Sequence, residues 1–238
     1  MTFRIDEAPS RRGVLAGLVA LAAPLPARAA DTADSPIAHG ILAQNKLAQA
    51  FRPTLDSLPD VTLIGPNGER DISALKGRTL LMPLWAEWCA PCLGEIPDFA
   101  KLQKKYGGDK FAIVPILTGT RRQFTPTTLA GVLAVLHADV FEPLMETHFG
   151  DKLMRRMARQ GNSVAIPCNL LIAPDGRVVG REIGIKLSDD GEKDAERPVE
   201  GKKDPALVAR AIGGETMSLW GTPAGDEFAA AMAKGFLD

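Results

Sequence analysis

A layered α/β domain is the fold class this sequence predicts. Apolar runs of strand length alternate with helix-length amphipathic segments, a hairpin and a helix close the chain, and one apolar run leads directly into a Cys-x-x-Cys pair. The 238 residues are 45% hydrophobic, enough for one medium domain with a full core and no disulfide staples. A formal net charge of −1 gives no basis for electrostatic capture of nucleic acid. Three cysteines occur, two of them separated by two residues, which is the usage of reactive rather than structural cysteine.

The first 29 residues read as a cleavable export signal. Arg11-Arg12 precede an apolar stretch from Gly13 to Leu25, and Ala27-Arg28-Ala29 has the small-x-small form of a cleavage site. The stretch falls short of the about 20 apolar residues that span a bilayer. The arginine pair resembles the twin-arginine type, with a general secretory signal and an uncleaved tether as the other readings. A periplasmic location of the mature chain is expected.

Residues 30–55 are expected to form a helical extension. Ile37, Ile41, Leu42, Leu47 and Phe51 fit one amphipathic helix over 35–51, ended by Pro53. Residues 56–238 are expected to form the main domain. Val61-Thr62-Leu63-Ile64 reads as a strand and Gly65-Pro66-Asn67-Gly68 as a tight turn. Residues 79–85 read as a strand despite Pro83, which lacks a backbone donor and predicts a bulge or a shortened strand. Residues 95–106 read as a helix that Pro97 should kink. A buried strand over 111–117 and helices over 128–136 and 142–159 follow. Residues 168–172 and 177–185 form a hairpin about the turn Ala173-Pro174-Asp175-Gly176. In 188–204, 11 of 17 residues are charged, the composition of a solvated loop. Short helices over 205–212 and 226–237 complete the chain, the last with Phe228, Met232 and Phe236 on one stripe.

The chemistry is expected at Trp88-Cys89-Ala90-Pro91-Cys92, where a strand gives way to a helix. A zinc site would need a second ligand pair, and Cys168 and the scattered His39, His137 and His148 lack that spacing, so no metal is expected. A cysteine at the first position of a helix faces unpaired N–H groups and the positive end of the dipole, which stabilise a thiolate. Cys89 is therefore the expected exposed, attacking sulfur and Cys92 the shielded one that resolves the mixed disulfide. Pro91 is preset for the first turn. Ala90-Pro91 places no cation between the sulfurs, which favours a reductant over an oxidant. Glu95 shares the helix face of Cys92. It is either the acid that takes the proton of Cys92 or an exposed acid that complements the dipole.

Trp85-Ala86-Glu87-Trp88-Cys89-Ala90-Pro91-Cys92-Leu93-Gly94-Glu95-Ile96-Pro97 resembles the active-site segment of the TlpA/ResA-like branch of the thioredoxin superfamily. The resemblance extends through Leu58-Pro59-Asp60, Asn67-Gly68, Leu75-Lys76-Gly77, Ile166-Pro167 and 171–176, and covers about residues 56–186 and 218–238. It implies a thioredoxin fold, a mixed central sheet flanked by helices, here with a helical insertion at 118–161 and a charged insertion at 188–217. It also implies that Glu95 moves the proton and that Pro167 is a cis-proline. Trp88, Ala90, Pro91, Ile166 and Pro167 would form the substrate-binding face.

The function implied is disulfide reduction in partner proteins of cytochrome c maturation or copper-centre assembly. A membrane thiol reductase would supply electrons to a monomer, and the redox-active disulfide Cys89–Cys92 would be the only cofactor. A disulfide oxidase or isomerase and a non-enzymatic copper chaperone are the alternatives. Cys168, next to Pro167, is either a third redox thiol or a buried, inert one. Met145, His148, Met154 and Met157 fit either soft copper ligands or the apolar stripe of a helix.

Overall fold

A computed structural model describes residues 35–54, 56–147, 152–160, 162–184 and 218–238. The export signal, the charged segment 188–204 and the helix expected over 205–212 lie outside the described residues. Among the described residues, no helix is long and apolar enough to cross a membrane.

The extension is not the single helix its periodicity predicts. A 3₁₀ turn at Gly40–Leu42 and a short helix α1 at Lys46–Ala50 replace it. Gly40 takes φ +52°, which breaks the helical path, and Asn45 restarts it by accepting a hydrogen bond from the Ala48 N–H. Ile41 is consequently 64% exposed while Leu42, Leu47 and Phe51 are buried. The Asn45 side chain also donates to Ala224 O and Glu227 Oε2, both at 2.8 Å, fastening the extension to the far end of the chain.

The expected strand β1 (Thr62–Gly65) and tight turn are present, with Gly68 at φ +98°, and the turn leads into a second strand, β2 (Gly68–Asp71), that pairs with β1 as a hairpin. The central strand β3 (Thr79–Trp85) is buried at all seven positions. Helix α2 (Ala90–Tyr106) follows and runs unbroken through Pro97. The strand expected over 111–117 is divided into β4 (Phe111–Ile113) and β5 (Ile116–Leu117). Helix α3 (Pro126–Val135) opens on a capping box between Thr125 and Thr128.

Residues 142–159 are not one helix. They contain β6 (Leu144–Glu146), then α4 (Leu153–Met157), and Arg159–Gln160 begins the small hairpin of β7 with β8 (Ser163–Val164). The apolar pair Leu144-Met145 satisfies a helical period and a strand equally well, and pairing with two neighbours decides for the strand. Strands β9 (Cys168–Ile172) and β10 (Val178–Ile183) form the expected second hairpin. Helix α5 (Pro223–Ala233) ends the chain.

The main sheet runs β10-β9-β3-β5-β6-β1-β2, with β4 also paired to β3. Strands β4, β5 and β6 extend it in parallel, and the two hairpins join antiparallel at its flanks. This is the mixed sheet the resemblance implies. Successive β3 residues face opposite layers, as the pleat requires: Leu81 and Trp85 belong to one apolar cluster and Leu80, Met82 and Leu84 to the other. The first layer holds the aromatic group Phe51, Phe99, Trp220 and Phe228, whose rings lie 5.1–6.5 Å apart. That group locks the extension, α2 and α5 together.

Pro83 produces neither a bulge nor a short strand. The carbonyls of Leu81 and Trp85 accept from Val114 and Thr118, so alternate residues of β3 address the β4–β5 side. The donor missing at Pro83 falls on that side, where the neighbour is itself interrupted between Ile113 and Ile116. The irregularity sits in the partner strand.

Candidate active site

The end of β3 and the start of α2 build the site. The Cys89 N–H donates to Ala86 O at 3.0 Å, turning the chain after Trp85. Cys89 is the N-cap of α2 with extended backbone (φ −89°, ψ 93°), one position before the first helical residue. Its Sγ accepts from the Cys92 N–H at 3.3 Å. Pro91 falls in the first turn, where no donor is needed. Cys89 and Cys92 are joined as a disulfide with their Cα atoms 5.3 Å apart.

Cys89 is not the exposed sulfur expected of it: it is 4% exposed, against 2% for Cys92. Both sulfurs belong to the first-layer cluster, and half-buried Trp88, Leu93 and Ile166 pack on that cluster. Glu95, also on α2, is 1% exposed, which excludes the solvated first-turn acid. One turn further, Asp98 is equally buried and accepts from Lys101 Nζ at 3.1 Å and Ser218 Oγ at 3.3 Å.

The peptide Ile166–Pro167 is cis. Cys168 pairs with Leu84 in the β3–β9 ladder, so Pro167 comes opposite the end of β3 and beside the cysteine turn. Cys168 itself points into the second layer, away from the disulfide. It is wholly buried, its Sγ donates to Met157 O at 3.6 Å, and burial pushes its thiol up to about 12. Its surroundings fit the inert reading, not a third redox thiol.

Met145 and Met157 are buried in opposite layers, so they form no common stripe, and His148 lies outside the described residues. No group of three or more His, Cys, Asp or Glu placed to hold a metal occurs among the described residues.

Sequence reasoning missed the loop that meets the cysteine turn. Trp88 Nε1 donates to Gly119 O at 2.7 Å, the Arg121 N–H donates to Glu87 Oε1 at 2.9 Å, and the Arg121 guanidinium lies 4.5 Å over the Trp88 ring. Gly119 sits at φ +59°, a conformation that favours glycine. Gly119 between a strand end and a capping Thr125 was the available signal, but nothing local indicated what the loop would touch. Between this loop, α3 and the cysteine turn lies a groove of about 680 Å³. Trp88, Leu93, Phe124, Val132 and Val135 form its apolar lining, with Arg121 and Arg122 also beside it.

A vicinal cysteine pair at a helix N-cap, a cis-proline beside it and a mixed sheet between helical layers define a thioredoxin-fold protein with a dithiol–disulfide centre. The Redoxin family model matches residues 53–197, more than half of the chain, and the chain belongs to that family. It is 42% identical over 59 residues to the thioredoxin-like protein YneN of Bacillus subtilis (strain 168), covering 24% of this chain and 34% of the relative. It is 25% identical over 122 residues to the thiol-disulfide oxidoreductase ResA of the same organism, covering 51% of this chain and 62% of the relative. The matches therefore span about a third and about six tenths of these relatives' lengths. A solved thiol:disulfide interchange protein of the thioredoxin family from Chlorobium tepidum TLS superposes with a TM-score of 0.42 at 23% identity, over 68% of this chain and 98% of that one.

Proposed function

We propose that this protein is an exported thiol–disulfide oxidoreductase that reduces disulfides in partner proteins. The observation that carries the reading is the Cys89–Cys92 pair at the N-cap of α2, with Cys89 Sγ already accepting the Cys92 N–H. In the reduced protein, that N–H and the positive end of a 17-residue helix stabilise a thiolate on Cys89.

The thiolate attacks one sulfur of a client disulfide, the client S–S bond breaks, and the other client sulfur leaves as a thiolate. Cys92 then attacks Cys89 Sγ, releasing the second client thiol and forming the intramolecular disulfide. Two electrons pass to the client. The Cys92 proton must go to a base for this step, and Glu95 is the buried carboxyl one turn along the same helix. Pro167, with Ile166, Trp88, Ala90 and Pro91, shapes the face on which the client lies. Cys168 takes no part.

Location in the periplasm, clients in cytochrome c maturation or copper-centre assembly, and a membrane thiol reductase as electron donor complete the proposal. They rest on the arginine-pair leader and on the resemblance of residues 85–97. The absence of a cation between the cysteines supports the reductant over the oxidase or isomerase.

The test is equilibration of the Cys89–Cys92 couple with a thiol buffer of known potential. A value near that of thioredoxin, about −270 mV, is expected, and one near −120 mV makes the protein an oxidant. A Cys92→Ser variant should accumulate mixed disulfides through Cys89. Trapping by Cys89→Ser alone would reverse the roles of the two sulfurs.

A further inference from the structure

The groove beside the cysteine turn has not been used by the reaction above. Its lining is apolar, and Val135 is 60% exposed on its α3 wall. Two exposed arginines, Arg121 and Arg122, adjoin it, and neither has an ion-pair partner among the described residues. The acid that also lines the groove, Glu87, has one carboxylate oxygen on the Arg121 N–H and the other buried. The net field at the mouth is therefore positive. Trp88 and Leu93, the residues that flank the Cys89–Cys92 turn on either side in sequence, both line the groove, so a chain seated there runs alongside that turn. The bonds from Trp88 to Gly119 and from Arg121 to Glu87 fix the two walls relative to each other before anything binds.

We infer that this groove selects the client: it takes an extended segment in which a carboxylate side chain and an aliphatic side chain flank the reactive cysteine. The carboxylate pairs with Arg121 and Arg122, and the aliphatic group covers Phe124, Val132 and Val135. This inference rests on the proposed disulfide reduction and adds the chemistry of the partner. Charge complementarity decides for a client segment over a second copy of the chain, because a stable dimer needs about 800 Å² per partner and a groove edged by Arg121 and Arg122 is not complementary to itself.

The test uses the reduced full-length protein and three short peptides, each with one cysteine capped as a mixed disulfide with mercaptoethanol. The peptides carry leucine and either two aspartates, two serines or two lysines around the cysteine. Each turnover oxidises the protein dithiol to Cys89–Cys92 and releases the peptide thiol and mercaptoethanol, with two electrons and two protons transferred. At low salt the aspartate peptide should react about tenfold faster than the lysine peptide, with the difference shrinking at high salt. The double variant Arg121→Glu/Arg122→Glu should invert that order, each protein serving as its own control through the ratio. A fourth peptide, the aspartate peptide with serine in place of leucine, should react more slowly than its parent, and Val135→Asp should remove that difference.

Equal rates for the three peptides, or the same order in the double variant, overturn the inference while leaving disulfide reduction intact. If none of the three peptides is reduced, the proposed function itself fails and takes the inference with it. A dimer that Val135→Asp disperses would make the occupant a second copy and also overturn it.

Discussion

Replacing Cys168 by alanine should change how stability responds to alkali, by an amount that follows from its burial. With the Cys89–Cys92 disulfide intact, Cys168 is the one thiol left of three cysteines. In the folded chain it titrates at about 12, against an ordinary value of 9.0, because desolvation opposes the thiolate and the Glu182 charge opposes it further. The folded value is raised, so the contribution to stability is fully present below pH 9 and is lost as pH rises from 9 toward 12. At pH 10 the unfolded thiol is about ten parts ionised to one, which favours unfolding by between about 1 and 2 kcal/mol. Urea unfolding of the oxidised protein at pH 8 and pH 10 measures this. Wild type should lose that much more stability than Cys168→Ala, with all other titrating groups cancelling in the difference. The same protein should yield no reactive thiol in its native state and one in denaturant. At pH 8 the thiolate fraction at Cys168 is on the order of 10⁻⁴, about a thousandfold below an ordinary cysteine. Equal alkaline losses in the two proteins, or labelling of Cys168 without unfolding, would refute the placement of this thiol in the second layer.

Three further outcomes are expected. Glu95→Gln should lengthen the life of the Cys89 mixed disulfide by about a hundredfold or more and change its pH profile, measured by quenched-flow against a trapped client; an unchanged lifetime excludes Glu95 as the proton acceptor. Trp220→Ala removes the centre of an aromatic group that is wholly buried, and should cost about 3–5 kcal/mol in chemical denaturation. A loss below about 1 kcal/mol would show that the extension, α2 and α5 are held by other contacts. Gly119→Ala forces a Cβ onto a residue at φ +59°, beside Met154 Sδ, and should destabilise by about 1–2 kcal/mol.

Strands β1, β3, β9 and β10 and the cysteine turn were legible because their signals are local. The apolar run of β3, the glycines of the β1–β2 turn and the spacing of Cys89 and Cys92 each need only a few residues. Pro83 could not be read correctly, since the compensating interruption lies some thirty residues on, at Val114-Pro115. The helix expected over 142–159 failed for a related reason: Leu144–Glu146 is a strand because β5 and β1 flank it, and neither neighbour is visible from within that window. Burial of Glu95 and Asp98 was likewise hidden. Helical spacing put Glu95 on the face of Cys92, but its depth depends on the layer that covers α2. The partners of Trp88 and the groove arise from contacts across more than 30 residues, between the cysteine turn and the loop at 119–121.

The position of β6 has a consequence for how this protein can diversify. Because β5 and β6 run parallel as neighbours, the segment 118–143 that joins them is a single crossover returning to the sheet where it left. That crossover carries the loop at 119–121, both groove arginines and all of α3, while the cysteines, the cis-proline and the buried acids of α2 lie outside it. Exchange of 118–143 for another crossover that supplies equivalents of buried Leu129, Leu133 and Leu136 would redraw the groove wall beside the cysteine turn and keep the redox centre. Deletion running on through 161 would instead remove β6 and strand the β1–β2 hairpin without its neighbour. The groove wall is thus a replaceable cassette in this chain, bounded by the two strands that cannot be spared.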